Sequence, residues 1–264
     1  MRRDPRDDLE YRTTMGTKAI DPQSIRNVTI IGDPADTARV TARLRRRCAT
    51  TAWVTDRVEH TIHIAEVSSH APIAATERAI RVADGVIAVV PAAARGGARL
   101  ETLLRVADDH QVARLCVVTG LDRPDADFDR CIRTIAGIRG AVPLPVQLPT
   151  GTGTGFHGAI DLVPMWALAP MGTEFYGSRW QIAEQRFRDL VAAVAEQDGA
   201  GDTPEVPPAR LHDRIRRLTR IGEAVPVLCD TAPWSDDPAA LLDAVVRYLP
   251  SPMHVCQPEH ALDQ

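Results

Sequence analysis

A short loop near the start of the chain, GDPADTAR at residues 32–39, contains the first residues whose types bear on chemistry. The loop follows the β-branched run 27–31 and precedes a helical pattern, and strand–loop–helix units of this kind commonly hold phosphate at the helix start. Yet the loop contains one glycine, two aspartates, a proline and no lysine. The only lysine of the chain, Lys18, lies outside the loop. The loop composition therefore raises the question of whether phosphate binding has been lost here.

Two other sequence patterns could have chemical roles, but both favour a structural interpretation. TGTGTGFHG at 150–158 matches a loose glycine motif, but alternation instead of a helical period follows it, which predicts a hairpin turn. The five cysteines are widely spread without metal-ligand spacing, and Cys116 and Cys229 lie in apolar runs as small buried residues. We therefore expect no metal site.

Composition bounds the class of protein. The 264 residues are 44% hydrophobic and 25% charged, with a formal net charge of −4, which is typical of a globular domain. This charge gives no overall attraction to DNA or to an anionic membrane, and the basic run at 43–48 favours a solvated helix face. Residues 1–24 lack the apolar core of a signal peptide and predict a disordered polar arm, within which Met15 is an alternative start. We expect a cytoplasmic protein.

The strands and helices that must position the loop at 32–39 alternate along the chain. Valine- and isoleucine-rich runs of strand length are each followed by an amphipathic helical pattern, which predicts a doubly wound, mostly parallel α/β sheet with helices on both faces. The pairs of strand and helix are 27–31 with 36–47, 60–67 with 72–83, 85–90 with 98–110, 113–118 with 125–138, and 224–229 with 237–249.

The middle of the chain breaks this alternation and predicts an inserted α+β subdomain over 148–222. Residues 155–175 alternate like antiparallel strands, and two arginine-rich helices follow. These helices offer a docking surface or, equally, a solvated face; the arginines concerned are Arg179, Arg186, Arg188, Arg214, Arg216 and Arg217. The tryptophans are expected to anchor packing.

Four segments together resemble one family. They are ATERAIRVADGVIAVVPA (75–92), DRPDADFDRCI (122–132), VPLPVQLPTGTGTGFHGAIDLVPMWA (142–167) and VPVLCDTAPWSDDPAALLDAVVRYLPSP (225–252). They are similar to the GTP-binding domain of elongation factor G-like translational GTPases.

The resemblance implies a P-loop NTPase-like fold and a division of the chain. It implies a first part of the GTP-binding domain at 25–147, the insertion at 148–222 as in elongation factor G, a last strand and helix at 223–252, and a tail at 253–264. It also implies that the later domains of a full factor are absent from this chain, which would exclude ribosomal translocation by the chain alone.

The chemical positions depart from the family pattern, beginning at the phosphate loop. The family reads A-H-x-D-x-G-K-T-T after the first strand. The resemblance places Gly32 and Asp33 at the first two positions and Thr37 at the glycine. It places Ala38 at the lysine, and Arg39 and Val40 at the two threonines, the first of which binds Mg²⁺ in the family. A methyl group and a forked guanidinium replace the groups that neutralise phosphate and bind the metal.

The metal-linked turn D-T-P-G-H also departs from the family pattern. Ala65 replaces its aspartate, Ser68 its glycine, and Ser69 the histidine that positions the attacking water. A slip of one residue would bring His70 to that place, which makes His70 a weak catalytic candidate beside its alternative as a surface histidine. The threonines of 49–56 are candidates for the family's metal-binding threonine, without its sequence context.

The guanine-reading motifs keep only part of their residues. N-K-x-D becomes TGLD at 119–122, which retains Asp122 alone. The later S-A signature becomes Thr231 and Ala232 within DTA. The vestigial nucleotide positions are thus Gly32, Asp33, Thr37, Ala38, Arg39, Val40, Asp122, Thr231 and Ala232.

Two functions remain open at this point. In the first, the chain is a pseudo-GTPase that acts as a binding or regulatory module, with no cofactor and with an unknown protein partner. A ribosome component, a translation factor and an enzyme of a specialised pathway remain open as that partner. In the second, it binds GTP, GDP or another purine nucleotide weakly, with or without Mg²⁺, and hydrolyses GTP slowly or not at all. The two differ in an observable way: Pro34 and the residues after it should fill the phosphate cradle in the first and leave it open in the second.

Overall fold

The computed structural model describes residues 21–45, 50–67, 71–93, 98–138, 142–199, 206–231 and 235–255. Nine strands occur in these ranges: β1 (Ile25–Ile31), β2 (Thr50–Thr55), β3 (Val58–Glu66), β4 (Gly85–Pro91), β5 (Ala113–Thr119), β6 (Val142–Pro145), β7 (Gln147–Pro149), β8 (Ala159–Asp161) and β9 (Ala224–Cys229). The α-helices are α1 (Pro34–Arg45), α2 (Ile73–Arg81), α3 (Ala98–Asp109), α4 (Phe128–Ala136), α5 (Leu162–Met165), α6 (Gly172–Tyr176), α7 (Trp180–Asp198), α8 (Pro208–Arg220) and α9 (Ala239–Tyr248).

Seven strands form one sheet in the order β2-β3-β1-β4-β5-β9-β6. All neighbours in it pair in parallel except β2, which runs antiparallel to β3. The central strands β4, β5 and β9 are buried at nearly every position, as expected for strands covered by helices on both faces. The predicted doubly wound, mostly parallel sheet is confirmed.

Each face of the sheet carries its own buried cluster. One cluster joins the sheet to α1, α7, α8 and α9 through residues such as Val40, Phe187 and Leu242. The other joins it to α2, α3 and α4 through residues such as Ile80 and Leu104. The helices of the predicted insertion therefore pack into the same cluster as α1, the helix after the phosphate-loop position.

The structure corrects one local prediction. The alternation over 155–175 yields only the three-residue strand β8, after which short helical turns run from Leu162 to Arg179 and pack against α7. The candidate threonines Thr50, Thr51 and Thr55 lie in β2, which pairs with β3.

Other predictions hold. β7 and β8 pair antiparallel across the 150–158 loop, as the hairpin interpretation expected. Trp166 stacks on Phe187 with ring centroids 4.4 Å apart, and the Trp53 indole donates to Asp243 at 2.7 Å, so both tryptophans anchor packing. Cys116 and Cys229 are buried. No described helix is long and apolar enough to cross a membrane.

Candidate nucleotide-binding site

The sheet brings most of the predicted site residues to one edge. Gly32 follows β1, Asp122 lies just after β5, and Thr231 lies just after β9, and these three strands run parallel. The carboxyl ends of such strands form the edge where α/β folds place their ligands. Ala232 and His70, together with Ser68, Ser69 and Lys18, lie outside the described residues.

The phosphate-loop position is occupied by the first turn of a helix. β1 ends at Ile31 and α1 begins at Pro34, so only two residues connect them. The backbone N–H groups of Asp36 and Thr37 donate to the Asp33 carbonyl at 3.2 and 2.9 Å. Pro34 has no N–H to offer. A phosphate cradle needs several backbone N–H groups that point together at the ligand, and here two of them are used within the helix.

The Thr37 side chain closes this turn further. Thr37 is buried, and its hydroxyl donates to the Asp33 carbonyl at 3.0 Å and lies 3.1 Å from that of Pro34. In a phosphate loop this position is a glycine whose bare backbone admits the ligand. Threonine therefore fills the space that a glycine would leave open.

The single glycine of the loop has a packing reason to be there. Gly32 has φ +147°, and a Cβ at this position would lie 2.9 Å from the Val89 carbonyl oxygen and 3.1 Å from the Val89 Cβ. Both its conformation and its contact with β4 therefore exclude other side chains. Gly32 is explained without any ligand.

The next three positions lack phosphate-binding chemistry. Ala38 exposes only a methyl group on α1, and Val40 is buried in the core. Arg39 could in principle approach a phosphate, but its guanidinium pairs with the Asp36 carboxylate along the helix, and more than half of its side chain is exposed. The predicted cationic substitute is thus engaged with a neighbouring acid.

At the position of the metal-linked aspartate, the described chain has an alanine, which offers no ligand atom. Ala65, which stands at the aspartate of the metal-linked turn, lies in β3 opposite Thr29 of β1. Among the described residues, no group of histidine, cysteine or carboxylate side chains could hold a metal ion. The chain thus fits Mg²⁺ poorly at the described residues of this edge.

One acid, Asp122, lies at the position that the resemblance assigns to guanine reading. Asp122 is half-buried, and its carboxylate has no hydrogen-bond or ion-pair partner among the described residues. Thr119 replaces the amide that braces this loop in the family, and its buried hydroxyl is also without a partner in the described chain. The loop is held instead by the backbone, since Gly153 N–H donates to the Leu121 carbonyl at 2.8 Å.

Sequence reasoning missed the role of Arg43, which holds the segment after β9 at this edge. Arg43 of α1 forms an ion pair with Asp230, the residue after β9, and also donates to the Ser235 carbonyl at 3.2 Å. The solvated face expected for the basic run at 43–48 is therefore wrong at Arg43, because only 14% of its side chain is exposed. A helical projection from the core residues Val40 and Leu44 could have indicated this burial.

A very small cavity lies beside this ion pair. It is lined by Arg43, Asp230, Thr231 and neighbouring residues of β9 and α9, and its volume is about 10 Å³. That is roughly the space of a single water molecule. Burial also raises the pKa of the Cys229 thiol in its wall well above the ordinary value, so this sulfur remains protonated.

Comparisons with known proteins agree with this architecture. The family described as "Elongation factor Tu GTP binding domain" matches residues 59–251. The chain is 36% identical over 211 residues to "Elongation factor G" of Fervidobacterium nodosum, and 38% identical over 209 residues to "Elongation factor G 2" of Streptomyces coelicolor. Each match covers 74% of this chain, but the chain spans only 30% of the length of either relative.

A solved structure supports the fold alone. A crystal structure of a Thermus thermophilus protein superposes with a TM-score of 0.69 at 18% identity, covering 88% of this chain and 41% of the other.

Proposed function

The chain belongs to the elongation factor Tu GTP-binding domain family, and from this premise we propose that it is a pseudo-GTPase. In this proposal it keeps the family scaffold as a binding or regulatory module and neither binds nor hydrolyses GTP appreciably. The observation that carries the proposal is the start of α1 at Pro34, because it puts a closed helical turn where a phosphate loop would curl around the ligand.

The magnitudes favour loss of binding. Contacts to a charged phosphate or to a bound metal contribute roughly 1.5–3 kcal/mol each. Loss of the lysine, the metal threonine and two base contacts would remove about 6 kcal/mol, allowing for non-additivity. A micromolar site, near −8 kcal/mol, would weaken beyond roughly 10 mM. Hydrolysis would suffer more, because phosphoryl transfer depends on positioning and charge neutralisation.

A melting experiment tests this proposal. A ligand present at ~100 times its Kd stabilises a protein by about 2.7 kcal/mol, which is a shift of several degrees in Tm. We expect no shift in Tm with GTP or GDP, with or without Mg²⁺. The same concentration of ATP serves as the control for ionic effects. A shift specific to guanine nucleotides, or release of phosphate from GTP above the buffer rate, would contradict the proposal.

One observation favours a second function, weak purine-nucleotide binding. The Asp122 carboxylate is unengaged among the described residues and lies at the ligand edge, where the family uses this aspartate to read guanine. Under this alternative, weak binding would be measurable and would disappear in Asp122→Ala. Asp125→Ala, an exposed acid in the same connection to α4, is the matched control.

The partner is proposed by analogy to the relatives, whose names place them in translation. We propose a cytoplasmic protein whose partner is the ribosome or a translation factor, not DNA or a membrane. Co-sedimentation with purified ribosomes tests the first partner: we expect binding that is unaffected by GTP. A partner outside translation, captured stoichiometrically while ribosomes are not bound, would contradict it.

A further inference from the structure

A second cavity lies at the opposite edge of the sheet from the nucleotide position. Its volume is about 520 Å³, which is the size of a small-molecule site. Arginine and histidine side chains line it from β1, β3, α8 and the segment after α9. They are Arg26 of β1, His60 of β3, Arg216, Arg217 and Arg220 of α8, and His254 after α9.

The floor of this cavity is a fully buried arginine. Arg26 is 1% exposed, and its guanidinium donates to the carbonyls of Gln23 and Ile25, both at 2.7 Å, and of Val246 at 3.1 Å. Its Nε has no partner within the described chain, and the same holds for Nδ1 of His60, which is also buried. Burying a charge with an incomplete set of hydrogen-bond partners is unfavourable. The buried positive charge of Arg26 is therefore expected to serve a function.

Two further arginines point to an anion. The side chains of Arg216 and Arg220 are half-buried, yet neither has a hydrogen bond or ion pair with any described residue. Arg217, by contrast, pairs with Asp198. Forked guanidinium groups suit phosphate and carboxylate oxygens, which they can bind through two parallel hydrogen bonds.

The charge balance of the lining is positive. Four arginines and two acids, Asp21 and Asp213, line the cavity, and three arginines remain when Arg217, which is paired with Asp198, is left out. The cluster also lowers the pKa of Arg26 to about 10, first through burial and then through the charge of Arg216, with Asp84 opposing. A bound anion would compensate the buried positive charge and reduce the mutual repulsion of these groups.

The lining also limits the class of ligand. Val58 is its one purely aliphatic side chain, and among the described lining residues no phenyl, phenol or indole ring offers a surface on which a base could stack. The site is also remote from the nucleotide edge: Arg26 and Gly32 are separated by the length of β1, about 20 Å at ~3.3 Å per residue.

We propose that the cavity between the start of β1 and the end of α8 binds a small, multiply charged oxyanion, of the class of a phosphate monoester. Arg216 and Arg220 contact the anion, and Arg26 supplies buried positive charge beneath it. This site is independent of the proposed pseudo-GTPase function, because it uses no residue of the nucleotide edge.

Titration of the full chain with inorganic phosphate, at constant ionic strength, tests the site. We expect saturable binding that weakens roughly tenfold or more in the double variant Arg216→Ala/Arg220→Ala. Arg210→Ala removes an exposed arginine from the same helix outside the cavity, and Arg39→Ala removes one from the nucleotide edge; both should bind phosphate as the wild type does.

Three outcomes would overturn the proposal. They are no saturable binding by the wild type, equal weakening by Arg210→Ala, which would indicate general charge attraction, and weakening confined to Arg39→Ala. The last outcome would place phosphate at the nucleotide edge and would count against the pseudo-GTPase proposal instead of leaving it untouched. Circular dichroism and urea unfolding of each variant confirm that the folded chain is being compared.

Discussion

Arg43 of α1 and Asp230 of the segment after β9 form an ion pair that is largely buried, with 14% and 8% of their side chains exposed. The same guanidinium lies 3.6 Å from the Asp236 carboxylate. Through these contacts the helix that would follow a phosphate loop is tied to the segment that would close over a base. A fixed edge of this kind suits a scaffold that presents one surface regardless of nucleotide.

The ion pair should contribute strongly to stability. Removing one partner of a buried pair leaves an uncompensated charge, so Arg43→Ala should lower the free energy of unfolding by about 3 kcal/mol. Arg39→Ala, which breaks an exposed pair with Asp36 on the same helix, should lower it by less than ~1 kcal/mol. Urea unfolding measures both. Equal, small effects would show that the Arg43 contact contributes little.

Gly32 should be required for folding and not for a ligand. Gly32→Ala forces a Cβ against the Val89 carbonyl at a φ of +147°, so we expect a loss of at least ~2 kcal/mol. Gly199 has φ +62° and ψ 14°, and no neighbouring atom lies within 4 Å of the place that a Cβ would take, so this matched control should lose about 1 kcal/mol as alanine. A Gly32→Ala protein as stable as Gly199→Ala would refute the packing explanation.

Restoring the family residues should not restore the site. In Thr37→Gly/Ala38→Lys/Arg39→Thr the lysine and the metal hydroxyl return, but the chain still has only two residues between β1 and α1. We therefore expect no saturable binding of GTP with Mg²⁺ in a fluorescent-nucleotide titration. Micromolar binding by this variant would show that side chains alone, not the backbone turn, account for the loss.

Asp161 should make stability fall as pH rises. Burial raises the pKa of this carboxyl to about 6, with Arg247 opposing and Asp243 adding to the shift. The folded state therefore binds a proton more tightly than the unfolded chain, whose carboxyl has an ordinary pKa of 3.8. The resulting penalty is absent below about pH 4, grows as pH rises through 6, and is then constant.

Asp161→Asn tests this sign. Its free energy of unfolding should exceed that of the wild type by about 3 kcal/mol at pH 7 and nearly match it at pH 4. Asp129→Asn, at an exposed aspartate that pairs with Arg186, is the control and should show no such rise at pH 7. A wild type more stable than Asp161→Asn at pH 7 would contradict the assigned burial.

Sequence periodicity was sufficient to predict the parallel strands in the core of the sheet, but it did not predict the strands at the sheet edges. β4 is a continuous apolar run, and β5 is apolar except for Arg114 and Thr119, so burial on both faces could be inferred from composition. Strand β6 was not predicted, because its two prolines disfavour the interior of a sheet. Proline is tolerated in an edge strand, and β6 is the edge strand of this sheet. The helical turns after β8 depend on packing against α7, which local alternation does not encode.

The sequence was sufficient to predict which chemical groups the candidate site lacks, but not which contacts the replacing residues make. The residue types at Ala38 and Ala65 already exclude the missing chemistry, because a methyl group neither neutralises phosphate nor binds metal. The arginines of the insertion are largely engaged, since Arg186, Arg188, Arg214 and Arg217 pair with acids, which weakens the docking interpretation. The pairs of Arg186, Arg214 and Arg217 join separate elements, so sequence spacing could not reveal them, whereas Arg188 and Glu184 lie one helical turn apart in α7.

Isothermal titration of the purified chain with GTP and GDP, with and without Mg²⁺ and up to millimolar ligand, tests the central claim most directly. The closed turn at Pro34 to Thr37 predicts no saturable heat under any of these conditions. Saturable binding in the micromolar range would contradict it, because it would require the start of α1 to open and release the backbone N–H groups of Asp36 and Thr37 to a phosphate.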